Sequence, residues 1–199
     1  MYLPSYFDET RPALLQGLIT QHPLGTVIIH GVEGLVADHI PFELGPVTPD
    51  APFGVLRAHV ARANPLWRHS GDALVVFQGP SAYVSPSLYE EKPVSGKVVP
   101  TWNYAVVHAH GPLQAVDDAA WMLALLERLT VTHEASRAAP WSIQDAPRAW
   151  IEKIMHALVG IEIPVHRLQG KWKMSQNRTL RDQQMVAADT GMDIYPASH

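Results

Sequence analysis

The chain has 199 residues, 47% of them hydrophobic, a formal net charge of −4 and no cysteine. That length suits one domain, or one domain with a small appendage, and the apolar content is enough for a real core. The missing thiols exclude disulfides, thiolate metal sites and a cysteine nucleophile, and the mild acidity gives no ground for a generic polyanion-binding surface. Met1-Tyr-Leu-Pro-Ser-Tyr-Phe-Asp8 lacks the basic segment and apolar core of a signal peptide, and no apolar run is long enough to span a bilayer. A cytoplasmic protein without membrane contact is therefore expected. Seventeen prolines and thirteen glycines predict many turns and short strands.

In chain order, Asp8 to His22 reads as a helix capped by Asp8 or Thr10, with Pro12 in its first turn and Leu14, Leu15, Leu18 and Ile19 as its apolar stripe. Gly25 to His30 and Leu35 to Phe42 read as a hairpin around Gly31-Val-Glu-Gly34. After a proline-rich loop, Gly54 to Val60 alternates so that Arg57 and His59 share one face. A short helix opens within 61–68. Ala73 to Gln78 reads as a buried strand, Gly79-Pro80 as a turn, and Ser81 to Val84 as a further strand. Ser85 to Pro100 is a long loop, the kind that tends to carry function. Tyr104 to Val116 is a strand. Asp117 or Asp118 caps a helix reaching Thr132, with Trp121, Leu125, Leu126 and Leu129 on one side. Arg148 to Leu158 is a helix with Trp150, Ile151, Ile154, Met155 and Leu158 inward. Val159 to Leu168 is a late strand that Pro164 assigns to an edge or bulge. Leu180 to Ala188 is a short helix, and the tail from Gly191 to His199 reads as weakly ordered. The order of helix, strands, helices and strand reads as α+β around an antiparallel barrel.

Three constellations carry chemistry. Where the loop after Gly96 becomes a strand, Thr101, Trp102, Asn103 and Tyr104 stand together with Lys97 upstream. A hydroxyl, an indole, an amide and a phenol at one corner suit a flat, polar, anionic ligand. Arg57, His59, Arg62 and Asn64 sit on a strand and the turn into a helix start, a combination that can hold an anion or simply be a solvated strand end. Lys171-Trp-Lys-Met-Ser-Gln-Asn-Arg178 interleaves cations with an indole, for phosphate and a ring, for nucleic acid, or as a solvated segment. His108 and His110 share a strand face, but no carboxylate stands near them, so no metal site is assigned. Dinucleotide, Walker, HExxH and GxSxG signatures are absent. No catalytic residue is assigned, although His59 or His39 could serve as a base.

Several of these stretches together resemble the PaiB family, the FMN-binding negative transcriptional regulators of bacteria. The resemblance rests on Met1-Tyr-Leu-Pro4, His22-Pro-Leu24, Leu56-Arg-Ala-His-Val-Ala-Arg-Ala-Asn-Pro65, Val76-Phe-Gln-Gly-Pro80, Tyr83-Val-Ser-Pro86, Gly96-Lys-Val-Val-Pro-Thr-Trp-Asn-Tyr104, Ile161-Glu-Ile163 and Gly170-Lys-Trp-Lys-Met-Ser-Gln-Asn177. Met174 stands where leucine is expected, a volume-conserving change. The resemblance implies an FMN-binding split β-barrel over 1–180, similar to the pyridoxamine-phosphate-oxidase-like proteins, with 181–199 as a C-terminal helix and tail. It implies a homodimer with flavin at the subunit interface. Arg57, His59, Arg62 and Asn64 would then supply phosphate contacts. Lys97, Thr101, Trp102, Asn103, Lys171, Lys173, Gln176 and Asn177 would complete the pocket. The family's label implies a repressor, and the chain's composition supports direct DNA contact least, because no basic recognition helix is legible. A flavin-dependent oxidoreductase acting on a small molecule is the alternative.

Overall fold

A computed structural model describes residues 1–32 and 34–192. In chain order the elements are β1 (Asp8–Glu9), α1 (Pro12–Gln21), β2 (Leu24–Gly31), β3 (Gly34–Pro41), β4 (Glu43–Leu44), β5 (Val55–Ala61), β6 (Gly71–Val84), α2 (Glu91–Val94), β7 (Thr101–Val116), α3 (Ala119–Glu134), α4 (Arg148–His156), β8 (Leu158–Pro164), β9 (Arg167–Lys173) and α5 (Leu180–Thr190). They fall into two compact units. The first holds Met1–His22, Phe77–His108 and the chain from Gln169; the second holds Pro23–Val76 and Ala109–Leu168. The α+β class with an antiparallel sheet is the one expected from the sequence. No helix among the described residues is long and apolar enough to cross a membrane.

In the second unit, β2 and β3 form the expected hairpin, registered from Leu24 opposite Pro41 to Gly31 opposite Gly34. Val27 and Ile29 face inward, and Val27 lies opposite Val75 of β6. β5 pairs with β8 along its whole length, from Val55 opposite Pro164 to Ala61 opposite Leu158. β8 pairs in turn with β7 at Gln114 opposite Glu162. Hydrogen-bonded neighbours follow the open order β3-β2-β6-β7-β8-β5-β4. Leu56, Ala58, Val159, Ile161 and Ile163 are completely buried, and each large one contributes roughly 1.5–3 kcal/mol. Asp118 caps α3 by accepting from the Trp121 amide at 2.8 Å, which turns Met122 and Leu125 into the core. Gly160 makes room for Trp121, since a Cβ there would come within 2.3 Å of the indole.

In the first unit, β1 pairs with β9, Asp8 opposite Lys171 and Glu9 opposite Gly170. α1 buries Leu15, Leu18 and Ile19, and Leu15 packs so closely over Gly170 that a Cβ there would meet it at 2.1 Å. α5 begins at Thr179, whose hydroxyl accepts the Asp182 amide at 3.1 Å. The buried Asp182 carboxylate accepts the Glu90 amide at 3.0 Å. Val84, Tyr89 and Val186 close a small core beneath, and Arg178 lies over the Tyr89 ring at 4.3 Å.

Five expectations are corrected. The first helix starts at Pro12 rather than Asp8, because Asp8 and Glu9 belong to the ladder with β9. The buried Glu9 carboxylate also accepts the Arg11 amide at 2.7 Å. Gly79-Pro80 is not a turn. β6 runs straight through it, and Gly79 is there because Leu18 would meet a Cβ at 3.0 Å. Pro164 is not on an edge strand, since β8 lies between β7 and β5; it takes the last position, and the chain turns there into β9. The Arg148–Leu158 helix ends at His156, and Leu158 opens β8. None of α4's residues is buried, and Trp150 is 52% exposed. The tail reading falls largely on 193–199, outside the described residues.

Two predictions follow from this packing. A Cβ at Gly111 would lie 1.9 Å from the Pro164 carbonyl oxygen, whereas one at Gly17, inside α1, would meet nothing. Gly111→Ala is expected to cost about 2 kcal/mol or more in urea unfolding, and Gly17→Ala to gain about 0.5–1 kcal/mol. Burial lowers the His59 pKa from its ordinary value of 6.5. The unfolded chain then binds the proton more readily, so stability is full above about pH 6.5 and falls as pH drops through the histidine range toward the lowered folded value. His59→Phe is expected to flatten that acid limb of the stability curve, measured by urea unfolding between pH 7.5 and 5.

Candidate functional site

The strand period places β9's side chains alternately. Gly170 and Trp172 are buried, and Lys171 and Lys173 share the opposite, half-exposed face. The start of β7 lies beside them. Lys173 Nζ donates to Thr101 Oγ1 and, at 2.6 Å, to the Trp102 carbonyl. Lys171 Nζ donates to the Tyr2 carbonyl at 3.1 Å and lies 5.6 and 5.5 Å from the Tyr2 and Tyr104 ring centres. With Tyr6, Phe7 and Trp102 these residues line a cleft of about 380 Å³. Trp102 is 56% exposed, and Tyr83 meets it edge-on at 6.0 Å. Burial, then the charges of Lys171 and Arg178, hold the Lys173 ammonium below the usual lysine pKa.

Behind the cleft, the buried Asn103 and Ser175 exchange hydrogen bonds of 3.0 and 3.2 Å. Ser175 is held at φ +63°, an unusual conformation for a residue with a side chain. Gln176 accepts the Met174 amide at 2.7 Å and donates to the Trp172 carbonyl. Asn103 and Gln176 thus shape the turn after β9. Lys97 and Asn177 are exposed and do not line the cleft. Of the first unit's expected residues, Thr101, Trp102, Lys171 and Lys173 are brought together. Tyr104, which the sequence places at the same corner, lines the same space, as do Tyr2, Tyr6 and Phe7, which were not singled out as ligand contacts. Tyr2 was within reach of sequence reasoning, since it stands in the Met1–Pro4 motif, and Tyr104 belongs to the corner itself.

In the second unit the four remaining residues do not gather into an anion cradle. Arg57 Nε donates to Glu162 Oε1 at 2.8 Å, on an oxygen that Trp121 Nε1 reaches at 3.3 Å. Arg62 makes two bonds to Asp117, at 3.0 and 2.6 Å, and donates to the His156 and Leu158 carbonyls at 2.9 and 3.1 Å. It thereby satisfies the C-terminal end of α4. Asn64 donates to Asp38 at 2.8 Å and accepts the Leu66 amide at 2.8 Å, which uses the helix-start donor the sequence offered to an anion. His59 faces a separate, apolar pocket. His110 Nδ1 lies 3.0 Å from Arg167 Nη2, and among the described residues no group of three or more potential ligands could hold a metal.

The first unit's cleft fits FMN in its donor set. Two ammonium groups stand there with no carboxylate among the described lining residues, beside an exposed indole and a wall of aromatic rings. A phosphate would relieve the mutual repulsion of the lysines, and a flat ring system would cover the indole.

Comparison with known proteins identifies the family, and the residues matched end before Lys171 and Lys173. Residues 1–167 match the family model described as "Putative FMN-binding domain". The protease synthase and sporulation protein PAI 2 of Bacillus subtilis is 33% identical over 188 residues, covering 92% of this chain and 85% of that protein. An uncharacterized protein of Emericella nidulans is 37% identical over 212 residues, covering 88% and 84%. Among solved structures, the FAD and heme binding protein of Mycobacterium smegmatis superposes with a TM-score of 0.60 at 18% identity, over 83% of this chain and 73% of that one. The flavocytochrome Anf3 of Azotobacter vinelandii does so with a TM-score of 0.60 at 12% identity, over 86% and 72%. The structural likenesses carry the split-barrel fold alone. The family match over most of the chain, with the Bacillus relative, carries more: this chain belongs to the FMN-binding domain family, as its PaiB-like motifs implied.

Proposed function

We propose that the chain is a PaiB-type FMN-binding protein, a cytoplasmic homodimer that acts as a negative regulator of transcription. The observation that supports the FMN reading most is the pair of unmatched lysines beside exposed Trp102. In this reading Lys171 and Lys173 hold the phosphate, with Thr101 fixing the Lys173 head. Trp102 and the tyrosines take the ring and exclude water from one face. Asn103 and Gln176 hold the backbone that sets these positions. Arg57, Arg62 and Asn64 serve their own unit's fold, because each already has a partner within it. Bound FMN would supply redox chemistry that the side chains lack. Among the described residues no carboxylate or imidazole lines the cleft, the groups that most often act as a general base near neutral pH. That favours a binding and sensing role over turnover.

The homodimer and the regulatory role rest on the family resemblance. The net charge of −4 argues that any repression runs through flavin state or a partner rather than through a broad basic DNA-binding face.

Titration of FMN into purified protein, followed by flavin fluorescence, tests the reading. Saturable binding is expected, weakened at least about tenfold in Lys171→Ala/Lys173→Ala, on the scale of about 1.4 kcal/mol or more of lost charge-assisted bonding. Trp102→Ala should weaken it further. Unsaturable binding, or a double variant with wild-type affinity, removes this site. Sedimentation equilibrium with and without FMN tests the dimer, and a monomer in both states rejects it.

A further inference from the structure

The second unit holds a pocket that the FMN reading does not use. It has a volume of about 310 Å³ and lies against β5, α3 and α4, lined by His59, Leu126, Thr130, Trp141, Trp150 and Ile154 among others. That is the small end of the range for pockets that enclose small ligands.

Its walls are constructed. Leu126 and Thr130 of α3 and Ile151 and Ile154 of α4 form it together with His59 of β5. The rim is tied down where the Trp141 amide donates to the Glu134 carboxylate at 3.1 Å and the Ser142 amide to Asp145 at 2.8 Å. α4 leaves the chain's apolar interior unfilled: Trp150, Ile151, Ile154 and Met155 all line the pocket, and none is buried. An amphipathic helix ordinarily buries such a stripe. His59 adds a polar mark, because its Nδ1 is buried without a hydrogen-bond partner. An orphaned polar atom of this kind is uncommon in a native interior.

The lining chooses the chemistry of the occupant. Among the described residues it contains no charged side chain, so an ion would lose its hydration without compensation. Two indoles at 45% and 52% exposure offer ring faces and edges. One imidazole and the hydroxyl of Thr130 offer polar contacts. We infer that this pocket binds a neutral bicyclic aromatic molecule carrying a hydroxyl or amine, as a second ligand site distinct from the lysine cleft. Burial, which keeps the imidazole neutral near pH 7, agrees with an uncharged ligand.

The test uses the full-length protein and 2-naphthol, which is neutral at pH 7, read by its fluorescence and by tryptophan quenching. One saturable site is expected, weakened at least tenfold in Thr130→Phe and in Ile154→Phe, which fill the pocket. FMN titrations of both variants should match wild type. His59→Phe should weaken 2-naphthol more than naphthalene, because only the former has a hydroxyl to lose. Unsaturable partitioning, or affinity unchanged in both filled variants, overturns the inference. So does competition by FMN, which would make the pocket part of the flavin site. Trp150→Glu alters an exposed side chain of the pocket's rim and tests whether this face is covered by a second copy. If it dissociates an oligomer and wild type takes up no naphthol, a second copy covers this face and the inference also fails. Loss of FMN binding with naphthol binding intact would instead remove only the lysine-cleft reading.

Discussion

The two-residue period of an extended strand is the constraint on which each unit depends. Along β9 it turns Gly170 and Trp172 inward and leaves Lys171 and Lys173 on the other face. Along β5 it buries Leu56, Ala58 and Val60 and leaves Arg57 and His59 across from them. A slip of one residue in either strand would bury charge and expose the core. In β9 such a slip would also direct Trp172 away from its buried position, so the cation pair and the core position are set by the same register.

Charges displayed in the same way meet different fates. Arg57 and Arg62 each find a carboxylate, and Arg62 also ties down two carbonyls at the end of α4 and the start of β8. Ion pairs this open to solvent add little stability. Their effect is to fix geometry and cancel charge. Lys171 and Lys173 instead meet carbonyl oxygens, a hydroxyl and aromatic rings. Those contacts orient the ammonium groups without neutralising them. The Asn103–Ser175 pair behind them holds a backbone conformation at φ +63° that would otherwise be unfavourable, so the turn after β9 is maintained by a buried polar contact.

Burial in the second unit is uneven. β5 and β8 supply fully buried aliphatic residues, whereas α4 contributes none. The helix is held by its ends, through the turn at Ser142–Asp145 and the Arg62 clasp, and not by a filled apolar stripe. That accounts for a pocket inside an otherwise well-packed unit.

Residue pattern alone determined the hairpin around Gly31–Gly34, a cap at Asp117 or Asp118, the alternation on β5 and the gathering of Thr101 and Trp102, because these depend on neighbours in the chain. The motifs also carried the family. Only the tertiary structure decided that Asp8 and Glu9 extend a ladder instead of a helix, that β6 passes through Gly79-Pro80, and that Trp150 stays exposed. The first two depend on partners far away in sequence, Gly170 opposite Glu9 and Leu18 against Gly79, and the third on how α4 packs. The same reason separates the two predicted anion groups. An arginine's spacing does not show whether Glu162 or Asp117 will fold against it, more than fifty residues away, whereas two lysines at alternate strand positions must share a face whatever else the chain does.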